Sequence, residues 1–533
     1  MPAEQRGSTL RTVPAAATTT AKPLWWRAVV IGCAGALWVI LVAHPMNIYR
    51  TDIGRHIKSG EVILQTGSVP VTNLFSYSAP DYPVPNHHWG AAVLFALVHR
   101  WWSFAGLSLL FLIMQGATFL VTFATARRLG GFTAAALLAV AAAPLMASRT
   151  EVRPEMFSHF FLAAMIALLV AHAQGRLRPQ WLLAIPVMEV LWVNAHIVFP
   201  VGVMVAGAFA LAALHRWWME RTDPALQNLL WLGGIACATT LAMLVNPLGL
   251  EGALYPARIV NLLHGYQLFE MQPTSHMLRM FPPALTFAAF WTVCAIGVAM
   301  AWQHRYAQRP MLTVALGGLF AIGTVFGWMA LRNLPLAALL LLPAAADAWS
   351  SMRPLAWLRA RGLGTRSLAL LLAIALWFGH APSYWRGAVT SIGVGLFPGS
   401  LDAFEAFHRS GMRGPIFNNY DVGGGLIYGL YPEERVFADN RPEAYPPGFL
   451  DGAVLGAQRD ESIWQKLLAQ HRFQSIFFAW RERTPWTVPF LRRRLADGMW
   501  AQIYGDENVI VLRRLKALPD EEDFLPPPPP PTR

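Results

Sequence analysis

Apolar segments long enough to cross a bilayer recur from Leu24 to about residue 381, and they limit this chain more than any other feature. A hydrocarbon core about 30 Å thick takes about 20 mainly apolar helical residues to span. By that rule the spacing predicts about 11 spans, at 25–43, 104–126, 131–148, 156–173, 181–194, 198–214, 228–246, 284–302, 311–330, 333–350 and 367–381. Only 14% of the residues are charged, against about 25% in soluble domains. The fold class that follows is mainly α, a polytopic membrane helical bundle over residues 24–381. The stretch 90–103 reads as an amphipathic helix in the interface, with Trp101 and Trp102 at headgroup level.

Charge sets the expected orientation. With residues 1–23 disordered in the cytoplasm, every short inside loop carries at least two arginines. They are Arg127 and Arg128, Arg176 and Arg178, Arg216 and Arg221, Arg305 and Arg309, and the group from Arg353 to Arg366. This is the positive-inside pattern. It accounts for the net charge of +12 without nucleic acid, since no basic block carries interleaved stacking aromatics. The first apolar run lacks a small-residue cleavage site and reads as an uncleaved signal anchor. Cys33, Cys237 and Cys294 all lie in apolar runs, so no disulfide framework is expected.

An odd span count places everything after 381 outside. Over 382–515 the pattern becomes α/β, which predicts a small extracytoplasmic domain. Strands are expected at 415–418, 435–438, 475–479, 500–504 and 508–512, with helices at 401–408, 424–430, 461–471 and 488–496. Residues 516–533 end in a proline run that reads as a disordered, solvated tail.

Ionisable groups gather on the predicted outer side. The first outward loop, 44–90, holds Asp52, His56, Glu61, Asp81, His87 and His88. Loops longer than about 12–15 residues are usually functional. If the chain is helical from Thr51, Asp52 and His56 share one face a turn apart. A carboxylate there suits proton abstraction from a hydroxyl, or a divalent cation with His56. An N-cap is the structural alternative. His87 and His88, neighbours on an extended segment, are expected to point opposite ways, one toward phosphate or metal and one into packing.

The stretch Arg149-Thr-Glu151-Val-Arg153-Pro-Glu155 puts two arginines and two glutamates outside a span. Arginine grips phosphate through a bidentate fork; a closed Arg–Glu network is the alternative. Arg332 sits between two spans with no spacer, where it holds a lipid phosphate or snorkels. Asn194 and His196 read first as interhelical hydrogen bonding. In the C-terminal domain Asn418–Gly425 and Asp439–Arg441 each follow a predicted strand, where α/β folds bind ligands. A structural Asp439–Arg441 pair is the equal alternative, and the glycines at 423–425 read as allowing a helix to start tightly.

The segments DIGRHIKSGEVILQTGSVPVTNLFSYSAP, HHWG, RPEMFS, WVNAH, NPLG, LRNLPL and FNNYDVGGGLIYGLYPEERVFADNRPEAY cover the chain in order from about 47 to 515. With a long outward loop and an early aspartate after the first span, they resemble the GT-C superfamily of membrane glycosyltransferases, and most closely a bacterial group of GT-C-like membrane proteins. The resemblance implies an inverting transferase at the outer face of the bacterial cytoplasmic membrane. It would move a sugar from a polyprenyl-phosphate donor to a hydroxyl on a glycan, lipid or protein. Asp52, assisted by His56, would be catalytic. Arg149, Arg153, Arg332, His87 and His88 would hold the donor phosphate, and Glu61, Asn194, His196, Asp439 and Arg441 would serve the acceptor or support the site. No Asp-x-Asp or Asp-Glu pair follows Asp52, which leaves open a Mg or Mn ion held by Asp52 and His56. The rival readings are a transporter of lipid-linked glycans or small solutes and a non-catalytic envelope scaffold. Against transport, the sequence shows no inverted repeat and no midplane cluster of ionisable groups.

Overall fold

The computed structural model describes residues 35–36, 38–263, 269–352, 357, 391–480 and 484–516. Among these, seven helices are long and apolar enough to cross a membrane. After the first apolar run comes a short helix, α1 (Ile53–Thr66). It is followed by α2 (Trp89–Met146), α3 (Glu155–Ala173) and α4 (Ala184–Val193), the last entered through a 3-10 turn at Pro179–Leu183. The bundle continues with α5 (Pro200–Glu220), α6 (Asp223–Ala242), α7 (Leu250–Leu263), α8 (Pro282–Gln308), α9 (Pro310–Met329) and α10 (Leu334–Trp349).

The predicted spans from 104 to 350 fall on α2–α6 and α8–α10. Spans 25–43 and 367–381 lie largely or wholly outside the described residues, as do 1–23 and 517–533. Helix α2 runs through three segments that the sequence separates. Its backbone leaves helical geometry at Ser103 (φ 54°) and at Gly131 (φ 79°), where one predicted element gives way to the next. The predicted interfacial helix 90–103 is the first of those three segments.

Helix α10 is the axis of the bundle. Every residue from Leu334 to Ala348 is buried, because a stretch of leucine, alanine and proline is apolar on all its faces. It packs against α2, α8 and α9. In hydrocarbon, helices associate through close packing, and small residues let backbones meet. A Cβ at Gly130 would lie 2.1 Å from the Ala346 carbonyl oxygen. The one charge on α10, Asp347, is met by Arg305 and Arg309 from the end of α8.

The C-terminal region carries α11 (Asp402–Arg409), β1 (Ile416–Asn418), α12 (Gly423–Leu430), α13 (Glu461–His471), β2 (Ser475–Ala479), α14 (Thr487–Ala496), β3 (Trp500–Gly505) and β4 (Val509–Arg514). The sheet order is β1-β2-β4-β3, with β1 and β2 parallel and the other pairs antiparallel. The β3–β4 turn is closed by Asp506, whose Oδ1 accepts from the backbone nitrogens of Asn508 and Val509. The predicted strand at 435–438 is not one. Val436 makes a single bridge to Ser76 of the 44–90 loop, and the Phe437 carbonyl accepts from the Ser76 and Ser78 hydroxyls.

That loop welds the C-terminal region to the bundle. Ile48, Tyr49, Ile53, Ile57 and Phe75 share one apolar core with Phe104, Phe111, Phe404, Phe407, Leu426 and Phe477. The Asn73 amide donates to the Ala444 carbonyl and the Tyr77 hydroxyl to that of Ile416. The glycine run that opens α12 does more than start a helix, because it lets three backbones touch. A Cβ would lie 2.4 Å from Ala438 O at Gly423, 2.8 Å from Thr51 O at Gly424 and 2.7 Å from Ile48 O at Gly425. Gly54 of α1 answers from the other side, where a Cβ would stand 2.5 Å from Gly424 O. A Gly54→Val protein should lose about 1–3 kcal/mol to overpacking, read as a lower melting temperature of the purified protein.

Candidate active site

Asp52 is the last residue before α1, and its side chain does not cap the helix. It lies instead beside two guanidinium groups and an imidazole. Asp52 Oδ2 is 3.5 Å from Arg55 Nη2 and 3.6 Å from His56 Nε2, and Oδ1 is 3.5 Å from Arg153 Nε. The helical spacing thus brings Asp52 and His56 together. Burial alone would push the Asp52 carboxyl up, but Arg153, His56 and Arg55 together hold it well below the usual carboxylate range. Oδ1 makes no hydrogen bond among the described residues.

Asp52 faces a cavity of about 320 Å³ between the bundle and the C-terminal region. Arg153, Arg332, His87, His88, His196 and Arg441 line it too. Arg149 stands directly behind. Its Nε is 2.7 Å from Glu155 Oε2 and its Nη1 2.7 Å from Glu270 Oε2. Arg332 reaches the same two carboxylates, at 3.0 Å and 3.7 Å. Arg153 pairs with Glu151 at 2.6 Å and lies 3.7 Å from Glu270. The Arg–Glu network and the cavity-facing arginines are therefore one structure.

The histidines differ from expectation. His87 and His88 do not diverge; their rings are 3.9 Å apart, and both line the cavity. The reason is local, since His88 at φ −106°, ψ 14° is the residue before α2 and not part of an extended segment. His88 also packs against His56 and His196, each at 5.3 Å between centroids. Burial, followed by the field of Arg55, pushes His56 down to about 4. Burial likewise lowers His87 to about 3 and depresses His88. All three are neutral near pH 7. His196 shares a 2.7 Å hydrogen bond with the Ser158 hydroxyl, which accepts from Trp192 Nε1.

Asp52 and His56 do not suit a divalent cation. Two guanidinium groups already flank the carboxylate, and among the described residues no three His, Cys, Asp or Glu side chains are grouped to hold a metal ion.

Other candidates fall elsewhere. Glu61 lies outside the cavity, paired with Lys58 at 3.0 Å. Nine residues past Asp52, at about 100° per residue, it is half a turn out of phase. Asn194 is a strut: it accepts from Trp89 Nε1 at 2.7 Å and donates to the Val190 and Val245 carbonyls. Asp439 is fully buried and holds the Arg441 guanidinium by two bonds, of 2.8 and 2.6 Å. Arg441 also donates to Asn73 and borders the cavity, so the pair is both structural and cavity-lining.

No family model and no curated protein matches this sequence. Solved structures do resemble it. The oligosaccharyltransferase of Archaeoglobus fulgidus in the apo form aligns over 85% of this chain and 69% of its own, at 13% identity and a TM-score of 0.57. ArnT from Cupriavidus metallidurans bound to undecaprenyl phosphate aligns over 92% and 98%, at 13% identity and 0.53. The archaeal enzyme in complex with Zn and sulfate aligns over 90% and 72%, at 14% and 0.51. This chain has the GT-C fold.

On that GT-C fold the cavity includes residues that the sequence reading passed over. Glu270 touches three arginines, and it is the lone acidic residue between Glu251 and Asp347, a signal that could have found it. Arg50 and Glu443 also line the cavity, and so do Tyr420, Asp421 and Asn440 from the two stretches marked as candidates after predicted strands. Burial pushes the Asp421 and Glu443 carboxyls up. Removing Asp439 would leave Arg441 buried and unpaired. Asp439→Ala should therefore cost about 3–5 kcal/mol, whereas Glu61→Ala at the surface should cost at most about 1 kcal/mol. Melting temperatures of the two purified variants compare them directly.

Proposed function

We propose that this protein is a membrane glycosyltransferase. It moves a sugar from a polyprenyl-phosphate donor to an acceptor hydroxyl, with inversion, at the outer face of the cytoplasmic membrane. One observation carries the reading: the Asp52 carboxylate and the Arg153 and Arg332 guanidinium groups face one cavity. The GT-C fold supports it, and one neighbour with that fold, ArnT, is bound to undecaprenyl phosphate. The interior of the bundle favours an enzyme over a transporter. Beyond Arg332 the axis helix is apolar and buried as far as Ala346, where a transport path would run.

The chemistry is a single displacement. The acceptor oxygen bonds to the anomeric carbon as the bond from that carbon to the donor phosphate oxygen breaks. The polyprenyl phosphate leaves with the electron pair, and Arg332, Arg153 and Arg149 balance its growing charge where water is scarce. The acceptor proton passes to Asp52. A carboxylate held at low pKa is a weak base until the attacking oxygen becomes acidic, so this transfer comes late. His56, neutral, orients Asp52. His87, His88 and Arg441 wall the sugar, and the C-terminal region shapes the acceptor side.

Asp52→Asn keeps the shape and removes the base. It should fold normally and transfer about 10²–10⁴-fold more slowly, measured with polyprenyl-phosphate sugars and membrane extract. Transfer at the wild-type rate would remove Asp52 from the mechanism. Arg332→Ala should weaken binding of undecaprenyl phosphate about 10-fold or more, the usual worth of a charged hydrogen bond. The pH profile follows from the depressed values. Asp52 is ionised and the histidines are neutral from pH 5 upward, so kcat/KM should show no limb near the ordinary histidine pKa of about 6.5. It should fall only in stronger acid, as Asp52 gains its proton.

A further inference from the structure

The arginine cluster is already matched by carboxylates. Asp52, Glu151, Glu155 and Glu270 all lie within 4 Å of Arg149, Arg153 or Arg332. With Arg55 on Asp52, four guanidinium groups already meet four carboxylates, so a donor phosphate adds a further negative charge to a matched cluster, and the balance is kept if one carboxylate gives way.

The four are not equally placed to do so. Glu151 touches Arg153 alone, and Asp52 is held by Arg55, His56 and Arg153. Glu155 is anchored as the first residue of α3, with its side chain 11% exposed. Glu270 sits in a three-residue 3-10 turn, Phe269–Met271, with its side chain 32% exposed. It alone of the four reaches all three arginines, and it lines the cavity. Its two oxygens stand where two oxygens of a bound phosphate would meet Arg149 and Arg332.

We propose that Glu270 is a removable counter-charge: its carboxylate occupies the anion site when the cavity is empty and leaves when the donor phosphate binds. The inference rests on the polyprenyl-phosphate reading above. It also assigns a step after transfer. The polyprenyl monophosphate product carries more negative charge than the diester donor and so holds the arginines more tightly. The returning Glu270 carboxylate competes with it and promotes its release.

The test is equilibrium binding of undecaprenyl phosphate to the purified full-length protein. An occupied site lowers apparent affinity by the fraction of molecules in which it is free, so Glu270→Gln, which keeps the shape and removes the charge, should bind about 10-fold more tightly than wild type. Equal or weaker binding by Glu270→Gln overturns the inference and leaves the reading standing. Absence of binding by both proteins overturns the reading and the inference with it. A second measurement needs no variant. Backbone amide exchange at 269–271 in the wild-type protein should rise when undecaprenyl phosphate is added, because the carboxylate is released. Unchanged or slower exchange there overturns the inference.

Discussion

Guanidinium groups gather where water is scarce only when each is met by a counter-charge, and this condition organises the site. Two like charges about 4 Å apart repel by about 4 kcal/mol at an effective dielectric constant of about 20. Arg149, Arg153 and Arg332 escape that cost by sharing carboxylates from three separate places, Asp52 before α1, Glu155 at the start of α3, and Glu270 in the turn before α8. Glu155 gains further from its position, since a helix N-terminus favours negative charge. No two of these arginines share one local turn of chain with all their partners, so the network exists only in the assembled fold.

The architecture follows from that requirement. Arg332 enters the cavity because the helix after it is apolar enough to run up the centre of the bundle, buried on every face. The C-terminal region closes the cavity from the other side. It does so because Gly423, Gly424 and Gly425 let α12 lie against the backbone before α1, at the chain's approach to Asp52. Arg441 and Asn440 then come to the cavity wall, with Arg441 fixed by Asp439 and Asn440 accepting from Arg55. A bulky side chain at the glycine contact would open the cavity without touching the charge of any residue that lines it.

What was legible in the sequence was local. Length and apolarity suffice for a membrane helix, so the spans from 104 to 350 were readable, as was the one-turn relation of Asp52 and His56. The same helical rule, applied to Glu61, places that residue on the opposite face. The stretch at 435–438 is a short apolar run like that of a strand, but an apolar run does not say whether the partner is a sheet or a docking loop. The glycines at 423–425 showed that space was needed and not what would fill it. Glu270 was the least legible of all. Nothing near it in the chain is its partner; its three arginines lie before α3 and before α10, and only the packing of the bundle joins them.

On the proposed reading, the charges that hold a phosphate also set the basicity of Asp52. In the empty cavity Arg153 faces Asp52 directly and keeps its carboxylate weakly basic. On the proposed reading, a bound donor phosphate draws on Arg153 as well, and each unit of charge that it neutralises is taken from the field at Asp52. Donor binding therefore raises the affinity of Asp52 for a proton at the moment when an acceptor hydroxyl must lose one. With the donor absent, the carboxylate is a poor base and an acceptor arriving alone is left protonated. On that reading, the electrostatics of one arginine impose an order on the reaction.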